Sequence, residues 1–402
     1  MEAPEDAEED AAAGAEADAG GDAADAADAD KPHEMNQQTV MKPLTSDPYI
    51  PNGLLFQWHI TDRCNFRCTH CYQETYSREE PDFAALMDIL EQFSQLIAGW
   101  RTRKRVRAHI TLAGGEPFVR GDFPDLLEVF HARRPEFSFA ILSNGSLIDA
   151  KMARYLKKCR PAFVQISMEG SRENHEKIRG TGSFDMAVSA LRHLVREGIR
   201  TFISFTAHRE NYKDFPQVAR IGQKLGVSRV WADRLIPCGS GAQLKELLLT
   251  PEETRDFFQI MARTRVHFPR SWFCKTEISL HRALQFLVDG GRPYHCTAGD
   301  SLIAVLPGGD LLPCRRMPVP VGNLKKESLA QLYCSSELFQ ALRDRTRISA
   351  GCEQCFYARL CRGGLKCLSH ALHGDPFRAD PGCWKAWQKT EHGGANPLIV
   401  FD

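Results

Sequence analysis

The sequence lacks the segments that take a protein into or across a membrane. No apolar run approaches the roughly 18 residues of a membrane span. The amino terminus has neither a basic n-region nor an apolar h-region, so no secretory signal of the Sec type is visible. Basic residues are also missing from residues 1–30, which contain 12 acidic residues. We therefore expect a soluble cytoplasmic protein that has no membrane as a partner.

Residues 1–31 form an acidic tail with little that could enter a core. Thirteen of the first 30 residues are alanine and 12 are acidic. Such a segment cannot bury enough apolar surface to offset its ordering entropy, so we expect disorder. The chain has 51 basic and 51 acidic residues, so the other 372 residues carry 51 basic against 39 acidic, a formal +12. The tail is a solubilising segment, an over-extended gene start with Met35 or Met41 as the first residue, or an arm that contacts the basic body.

Six apolar runs of strand length follow the tail and alternate with segments of helical apolar spacing. The runs are Leu54–Ile60, Val106–Leu112, Phe137–Leu142, Phe163–Met168, Thr201–Thr206 and Val227–Trp231. Strands that alternate with helices predict βα units and a parallel sheet, hence an α/β fold. In such folds the chemistry gathers at the carboxyl ends of the strands.

The alternation fades after residue 240. Residues 241–295 are expected to form a helical bridge, with one helix opening at Thr250-Pro251 and a second over Glu277–Val288. Residues 296–390 contain short apolar pieces, glycines, prolines and cysteines, which predicts a small domain organised around metal. The basic run over residues 101–107 is expected to be a solvated loop. No aromatic platform accompanies it, so nucleic acid is not expected as a partner.

Fourteen cysteines, about 3.5% of the chain, are too few for a disulfide scaffold. In a reducing compartment, clustered cysteines indicate metal or catalysis instead. Four of them are scattered and are expected to be small buried hydrophobes: Cys159, Cys238, Cys274 and Cys334.

The first cysteine group follows the first predicted strand with the spacing C-x3-C-x2-C. Its members are Cys64, Cys68 and Cys71. A zinc site normally takes four nitrogen or sulfur ligands, and His70 is poorly placed to be the fourth because it adjoins Cys71. Three thiolates fit a [4Fe–4S] cluster better, with one iron left open to an outside ligand.

This motif and its place after strand one resemble those of the radical S-adenosylmethionine (SAM) superfamily. The resemblance implies a partial (β/α)6 barrel over residues 50–240 and an open iron that chelates SAM. Reductive cleavage of SAM would give a 5′-deoxyadenosyl radical, which removes hydrogen from a substrate; the protein positions this chemistry. It also implies an electron donor of the flavodoxin or ferredoxin type.

Further segments of the family pattern follow the later strands. Gly114-Gly115-Glu116 matches the GGE motif, whose glycines let backbone carbonyls approach a ligand and whose glutamate receives the SAM ammonium. Arg179 would bind the SAM carboxylate, and Glu169 stands where the family usually has Asp. The positions implied to bind SAM are Tyr72, Gly114, Gly115, Glu116, Ser143, Asn144, Ser167, Glu169 and Arg179.

The carboxyl-terminal cysteines resemble the SPASM extension of radical SAM enzymes. The resemblance implies an outer auxiliary cluster and an inner one, held respectively by Cys352, Cys355, Cys361 and Cys383, and by Cys296, Cys314 and Cys367. The family's usual fourth inner ligand falls on Leu302. The inner cluster is therefore three-ligated, recruits Cys274, or is absent. A pair of structural zinc sites is the alternative.

The resemblance implies a radical SAM oxidoreductase or peptide-modifying enzyme that matures a ribosomal peptide or protein. Arg315 and Arg316 follow Cys314 where sulfatase-maturing relatives have a catalytic aspartate, which disfavours that reaction. No catalytic base is assigned. The segment between the tail and strand one is too short for a leader-binding domain, so a separate leader-binding protein is expected. The alternatives are modification of a tetrapyrrole-like or organoarsenical-like small molecule, and a non-catalytic iron–sulfur or zinc scaffold.

Overall fold

The computed structural model of the chain describes residues 49–76, 80–268 and 276–387. The acidic tail predicted over residues 1–31 lies outside these residues, as do Met35, Met41 and Cys274. No helix within the described ranges combines the length and the apolar character needed to cross a bilayer.

One sheet of ten strands organises the described residues. Its strands are β1 (Gly53–His59), β2 (Arg107–Ala113), β3 (Ser138–Ser143), β4 (Phe163–Ser167), β5 (Thr201–Ala207), β6 (Arg229–Arg234), β7 (Glu277–Ser279), β8 (Leu302–Val305), β9 (Asp310–Leu312) and β10 (Gly322–Asn323). Their order across the sheet is β10-β9-β8-β1-β2-β3-β4-β5-β6-β7, and the sheet is not closed. Strands β1 to β6 are parallel neighbours in chain order, which confirms the predicted parallel α/β sheet.

Helices connect the parallel strands and cover the sheet. They are α1 (Phe83–Arg101), α2 (Phe123–Ala132), α3 (Ala150–Cys159), α4 (Arg172–Arg179), α5 (Ser183–Arg196), α6 (Phe215–Leu225), α7 (Pro251–His267), α8 (Phe286–Asp289), α9 (Leu329–Ser335), α10 (Glu337–Arg343), α11 (Ala358–Cys361), α12 (Lys366–His373) and α13 (Trp384–Trp387). Helix α7 begins as its sequence predicts. Thr250 Oγ1 accepts the Glu253 N–H at 3.2 Å, and the Glu253 carboxylate accepts the Thr250 N–H at 2.9 Å, so the helix has a capping box.

The core lies between the sheet and the helices, and alternate residues of β1 show how it is built. Leu54, Phe56 and Trp58 are buried, as expected where side chains of one strand alternate between two faces. The ring of Phe56 packs against that of Phe93 on α1, with centroids 4.9 Å apart. Burial of such rings fixes the register of the strand, because a slip of one residue would expose them.

The second helix expected in the bridge is wrong over most of its length. Glu277–Ser279 forms β7 and pairs in parallel with β6, and only Phe286–Asp289 is helical. Pairing with an existing sheet edge satisfies the backbone of a short segment, which overrides its helical pattern. Thr276 strengthens this attachment by donating its hydroxyl to Val227 O at 2.7 Å.

The sheet also continues beyond the six predicted strands at its other edge. Strand β8 pairs in parallel with β1, and β9 and β10 follow in antiparallel order. Residues from the cysteine-rich part of the chain thus extend the sheet of the preceding part. The basic run over residues 101–107 lies between the end of α1 and the start of β2, at the edge away from the carboxyl ends of the strands, and it is mostly exposed.

Candidate active site at the carboxyl ends of the strands

The first cysteine group lies on the loop that follows β1, at the carboxyl edge of the sheet. The loop carries Cys64, Cys68 and Cys71, all partly exposed. Neighbouring backbone holds its start in place. The Gly115 N–H donates to Thr61 O at 2.8 Å, and the Glu116 N–H donates to Arg63 O at 2.9 Å. The segment after β2 therefore fixes the approach to Cys64.

Gly114 and Gly115 are needed for this contact. A Cβ on Gly115 would lie 2.1 Å from Arg63 O, and one on Gly114 would lie 2.4 Å from Thr61 O. Gly114 also has a φ of +155°, which favours glycine. The sequence alone suggests that these glycines admit a ligand. In the structure their close neighbour is the cysteine-bearing loop itself.

A segment after β6 holds the other end of the loop, and the sequence analysis did not assign it. The Gly241 N–H donates to Cys71 O at 3.0 Å, and the Ser240 hydroxyl donates to Gln73 O at 2.7 Å. Gly239 has a φ of +62°, and a Cβ there would lie 2.2 Å from the carbonyl carbon of Tyr72. The run Gly239-Ser240-Gly241 was the available sequence signal.

Glu116 is a buried carboxylate that has only neutral hydrogen-bond donors. Its side chain accepts from the Ser143 hydroxyl at 2.9 Å, the Asn144 N–H at 2.8 Å and the Phe118 N–H at 3.3 Å. It has no ion pair within the described part of the chain. Burial raises the pKa of Glu116 to about 7, against the lowering effect of these hydrogen bonds and of the nearby Arg179 charge, which forms no ion pair with it. A cationic group bound here would supply the missing charge.

Glu169 is buried as well, but it has two basic partners. Its Oε1 lies 2.6 Å from Arg179 Nη2 and 3.2 Å from His70 Nε2, and its Oε2 accepts the Thr206 N–H at 2.8 Å. Burial acts to raise the pKa of Glu169, but Arg179 and His70 outweigh it and hold the pKa well below its ordinary value. His70 and Thr206 were not identified from the sequence as members of this site.

Arg179 joins Glu169 to the cysteine-bearing loop. Its Nε and Nη2 both donate to Glu169 Oε1, at 3.2 and 2.6 Å, and its Nη1 lies 3.7 Å from Cys68 Sγ. The sequence assigns this guanidinium to the carboxylate of SAM. In the structure its carboxylate partner is Glu169.

The remaining expected SAM-binding residues lie at the same edge of the sheet. Ser143 and Ser167 end β3 and β4. Asn144 Nδ2 lies 4.0 Å from Cys64 Sγ and donates to Asn65 Oδ1 at 3.0 Å. Tyr72 directly follows Cys71, and its ring lies beneath the Arg315 guanidinium, 4.9 Å from Cζ to the ring centroid. The structure thus brings together the residues that the resemblance implies.

The carboxyl-terminal cysteines fall into two groups of neighbours, and their assignment as cluster ligands stays a prediction. Burial, together with the neighbouring thiols of Cys383 and Cys355, raises the pKa of Cys352 to about 12. Burial, together with the nearby Cys383 and Cys352, likewise raises the pKa of Cys361 to about 12. The second group lies around the buried Cys367, whose pKa is raised by burial and by the nearby thiols of Cys314 and Cys296. Leu302 begins β8 and contributes no ligand, and Cys274 lies outside the described residues.

No three His, Cys, Asp or Glu side chains in the described ranges are placed to hold a single metal ion. An iron–sulfur cluster makes a different demand on its ligands, because each cysteine binds a different iron atom.

Comparison with known proteins identifies the family. Residues 58–221 match the model of the radical SAM superfamily, and residues 296–356 match that of the SPASM iron–sulfur cluster-binding domain. The chain belongs to the radical SAM superfamily. It carries a SPASM domain at its carboxyl-terminal side. The SPASM match ends before Cys361, Cys367 and Cys383.

Two curated relatives illustrate the range of the similarity. The Fe-coproporphyrin III synthase of Methanosarcina barkeri is 26% identical, over 81% of this chain and 86% of that protein. Mycofactocin maturase MftC of Mycolicibacterium smegmatis is 29% identical, over 82% of each chain. The fold is similar to that of Streptococcus suis SuiB bound to its precursor peptide SuiA. That comparison gives a TM-score of 0.66 at 14% identity and covers 83% of this chain and 76% of SuiB.

Membership of this family implies [4Fe–4S] clusters and SAM, and the residues present fit both. Three thiols lie on one loop beside Arg179, whose charge suits an anionic cluster. Glu116 is buried and forms no ion pair with any described residue, which suits the ammonium group of SAM.

Proposed function

We propose that this chain is a radical SAM enzyme that matures a ribosomal peptide. The observation that carries the proposal is Glu116, a buried carboxylate beside the loop that bears the first three cysteines, with which no cationic side chain of the described residues forms an ion pair. When bound, the cluster and SAM supply one-electron cleavage of SAM and abstraction of hydrogen from the substrate. The 29% identity to a mycofactocin maturase supports a peptide as the substrate.

The chain's own residues would bind and orient these groups. The first three cysteines would hold the SAM-binding cluster. Glu116 would bind the ammonium of SAM, and Ser143 and Asn144 hold the Glu116 carboxylate in place. Glu169 orients Arg179 beside Cys68. Ser167 and Tyr72 complete the SAM pocket. One or two auxiliary clusters occupy the cysteine groups of residues 296–383, and the reductant is a flavodoxin or ferredoxin. A separate leader-binding protein presents the peptide.

A small molecule of the tetrapyrrole class is the second candidate substrate. The similarity to an Fe-coproporphyrin III synthase, which extends over 86% of that protein, favours it. Both candidate reactions require the same cleavage of SAM, so they differ only in the substrate from which hydrogen is removed.

Formation of 5′-deoxyadenosine tests the proposal. The anaerobically reconstituted full chain, given SAM and dithionite, is expected to form it. The triple variant Cys64→Ala, Cys68→Ala, Cys71→Ala should reduce it to background, because no cluster is then held. Cys159→Ala is the control, since Cys159 is buried at the end of α3. Equal product from the triple variant and the parent would refute the mechanism.

Substrate class is tested in the same reaction. Candidate precursor peptides encoded beside the gene and Fe-coproporphyrin III are offered separately, and products are analysed by mass spectrometry. A mass change in a peptide supports peptide maturation. A mass change in the tetrapyrrole alone overturns that assignment in favour of the second candidate.

A further inference from the structure

Three arginines lie where the SPASM region meets the carboxyl ends of the strands, and two of them have a carboxylate partner. Arg234 makes a bidentate pair with Asp380, with distances of 2.8 and 2.6 Å. Arg316 Nη1 lies 2.8 Å from Asp233 Oδ2. Both carboxylates are buried, so each pair compensates charge in a region from which water is largely excluded.

Arg315 is the third, and it has no such partner. It is only 7% exposed, and its Nε is fully buried without a hydrogen-bond acceptor in the described part of the chain. No carboxylate of the described residues lies within ion-pair distance of its guanidinium. A buried guanidinium without a counter-charge carries a desolvation penalty, because it has lost water without gaining an anionic partner. An anion bound at Arg315 would remove that penalty.

A second unpartnered polar atom lies in the same place. His59 ends β1, is 1% exposed, and has a buried Nε2 without a partner among the described residues. Its ring lies edge-on to that of Tyr72, with centroids 5.9 Å apart. Arg315 Cζ lies 4.9 Å from the centroid of the same tyrosine ring. Two nitrogens that can donate hydrogen bonds therefore flank Tyr72, directly after Cys71.

Arg315 lies close to further groups around Tyr72. The positive charge of the Arg315 guanidinium acts to lower the pKa of His59, Tyr72 and Cys238. The guanidinium thus belongs to the strand-end site, on the side that the SPASM region covers.

We infer that Arg315, assisted by His59, binds a carboxylate of the substrate above Tyr72. A planar guanidinium binds a carboxylate through two parallel hydrogen bonds, which fixes orientation as well as position. The inference rests on the proposed function for the reaction, and it adds that the substrate bears a carboxylate close to the reacting atoms. A peptide carboxylate and an acidic side chain of a tetrapyrrole share this chemistry.

Stability of the unliganded full chain gives a test that needs no turnover. Arg315→Gln removes an uncompensated charge, so its Tm should equal or exceed that of the parent. Arg316→Gln is the matched comparison, because it leaves Asp233 without its partner and should lower the Tm. A lower Tm for Arg315→Gln, equal to that for Arg316→Gln, would show that Arg315 has a structural role and would overturn the inference.

Binding of propionate, with propionamide as its neutral counterpart, tests the ligand chemistry in the reconstituted protein. Propionate should raise the Tm and propionamide should not. Arg315→Gln should weaken propionate binding by about 10- to 100-fold, the effect of losing a hydrogen-bonded charge. Arg172→Gln, at an exposed ion pair, is the control that should bind like the parent. No response to propionate in the parent, or an equal response in Arg315→Gln, contradicts the inference.

Larger probes separate the two sources of the carboxylate. Fe-coproporphyrin III is compared with its tetramethyl ester, and acetyl-trialanine with its carboxamide. A carboxylate-dependent shift that requires Arg315 identifies which class the site accepts. If Arg315→Gln instead loses its thermal response to SAM, the guanidinium serves SAM and the inference is wrong. Absence of 5′-deoxyadenosine from the parent would count against the proposed function alone, because propionate binding is measured without it.

Discussion

The loop that bears Cys64, Cys68 and Cys71 and the region that bears the other seven clustered cysteines are held in different ways. Backbone of two neighbouring segments, residues 114–116 and 239–241, hydrogen-bonds to the two ends of the first loop. The later cysteines lie on turns and on helices of four to eight residues. A buried ion pair between Arg234 at the end of β6 and Asp380 ties that region to the sheet.

This difference indicates how each region depends on its cofactor. The strand-end site is built from the sheet, so its frame can form before a cluster binds. Short helices and turns bury less surface, and in such regions the free energy of metal binding contributes directly to folding. The SPASM region should therefore depend on its clusters for order to a greater extent than the radical SAM region does.

The largest effect on stability is expected from breaking the buried ion pair between Arg234 and Asp380, which connects the two regions. Asp380→Asn leaves Arg234, whose side chain is 3% exposed, without its counter-charge. The substitution also weakens the hydrogen bond that the Leu365 N–H donates to Asp380 Oδ2 at 2.9 Å. The free energy of unfolding should fall by about 3–5 kcal/mol. Denaturant titration measures this. Asp185→Asn is the control, because it breaks the exposed ion pair with Arg172 and should not change stability measurably.

A smaller effect, confined to the radical SAM region, is expected from Gly115→Ala. The new Cβ would lie 2.1 Å from Arg63 O and must displace the loop that bears Cys64. A displacement of about 1 Å in a reacting group costs on the order of 100-fold in rate. Formation of 5′-deoxyadenosine should fall by that factor. Gly121→Ala, with no heavy atom within 4 Å of its Cβ, should behave like the parent. Equal rates for the two variants would show that the contact is not needed.

The smallest effect, taken per pH unit, is a pH dependence of stability that comes from Glu116. The pKa of Glu116 rises from 4.5 to about 7 on folding, chiefly by burial. Its protonated form therefore stabilises the cluster-free protein fully below pH 4.5, and this contribution is lost as the pH rises through about 7. Between these values the contribution of Glu116 should fall by about 1.4 kcal/mol per pH unit, measured as the difference in stability between the parent and Glu116→Gln. Glu116→Gln should remove this slope. A slope unchanged in the variant would assign the titration to another group.

The sequence was most informative where local pattern decides structure. The six parallel strands were predicted because apolar runs mark buried strands, and the C-x3-C-x2-C motif placed the first cysteines after β1. Glu277–Ser279 was predicted wrongly because a short segment takes its structure from the edge it meets. Thr206, His70 and residues 239–241 could not be assigned, since hydrogen bonds between distant segments leave no local pattern.

By itself, the sequence determined the α/β fold, the radical SAM family and the cysteines available for clusters, because spacing and hydrophobic period are local properties. Only the tertiary structure decided how charge is distributed. It paired Glu169 with Arg179 and Arg316 with Asp233, and among the described residues it left Glu116 and Arg315 without an ion-pair partner. Whether a buried charge is compensated depends on which residues burial brings together, and sequence distance does not reveal that.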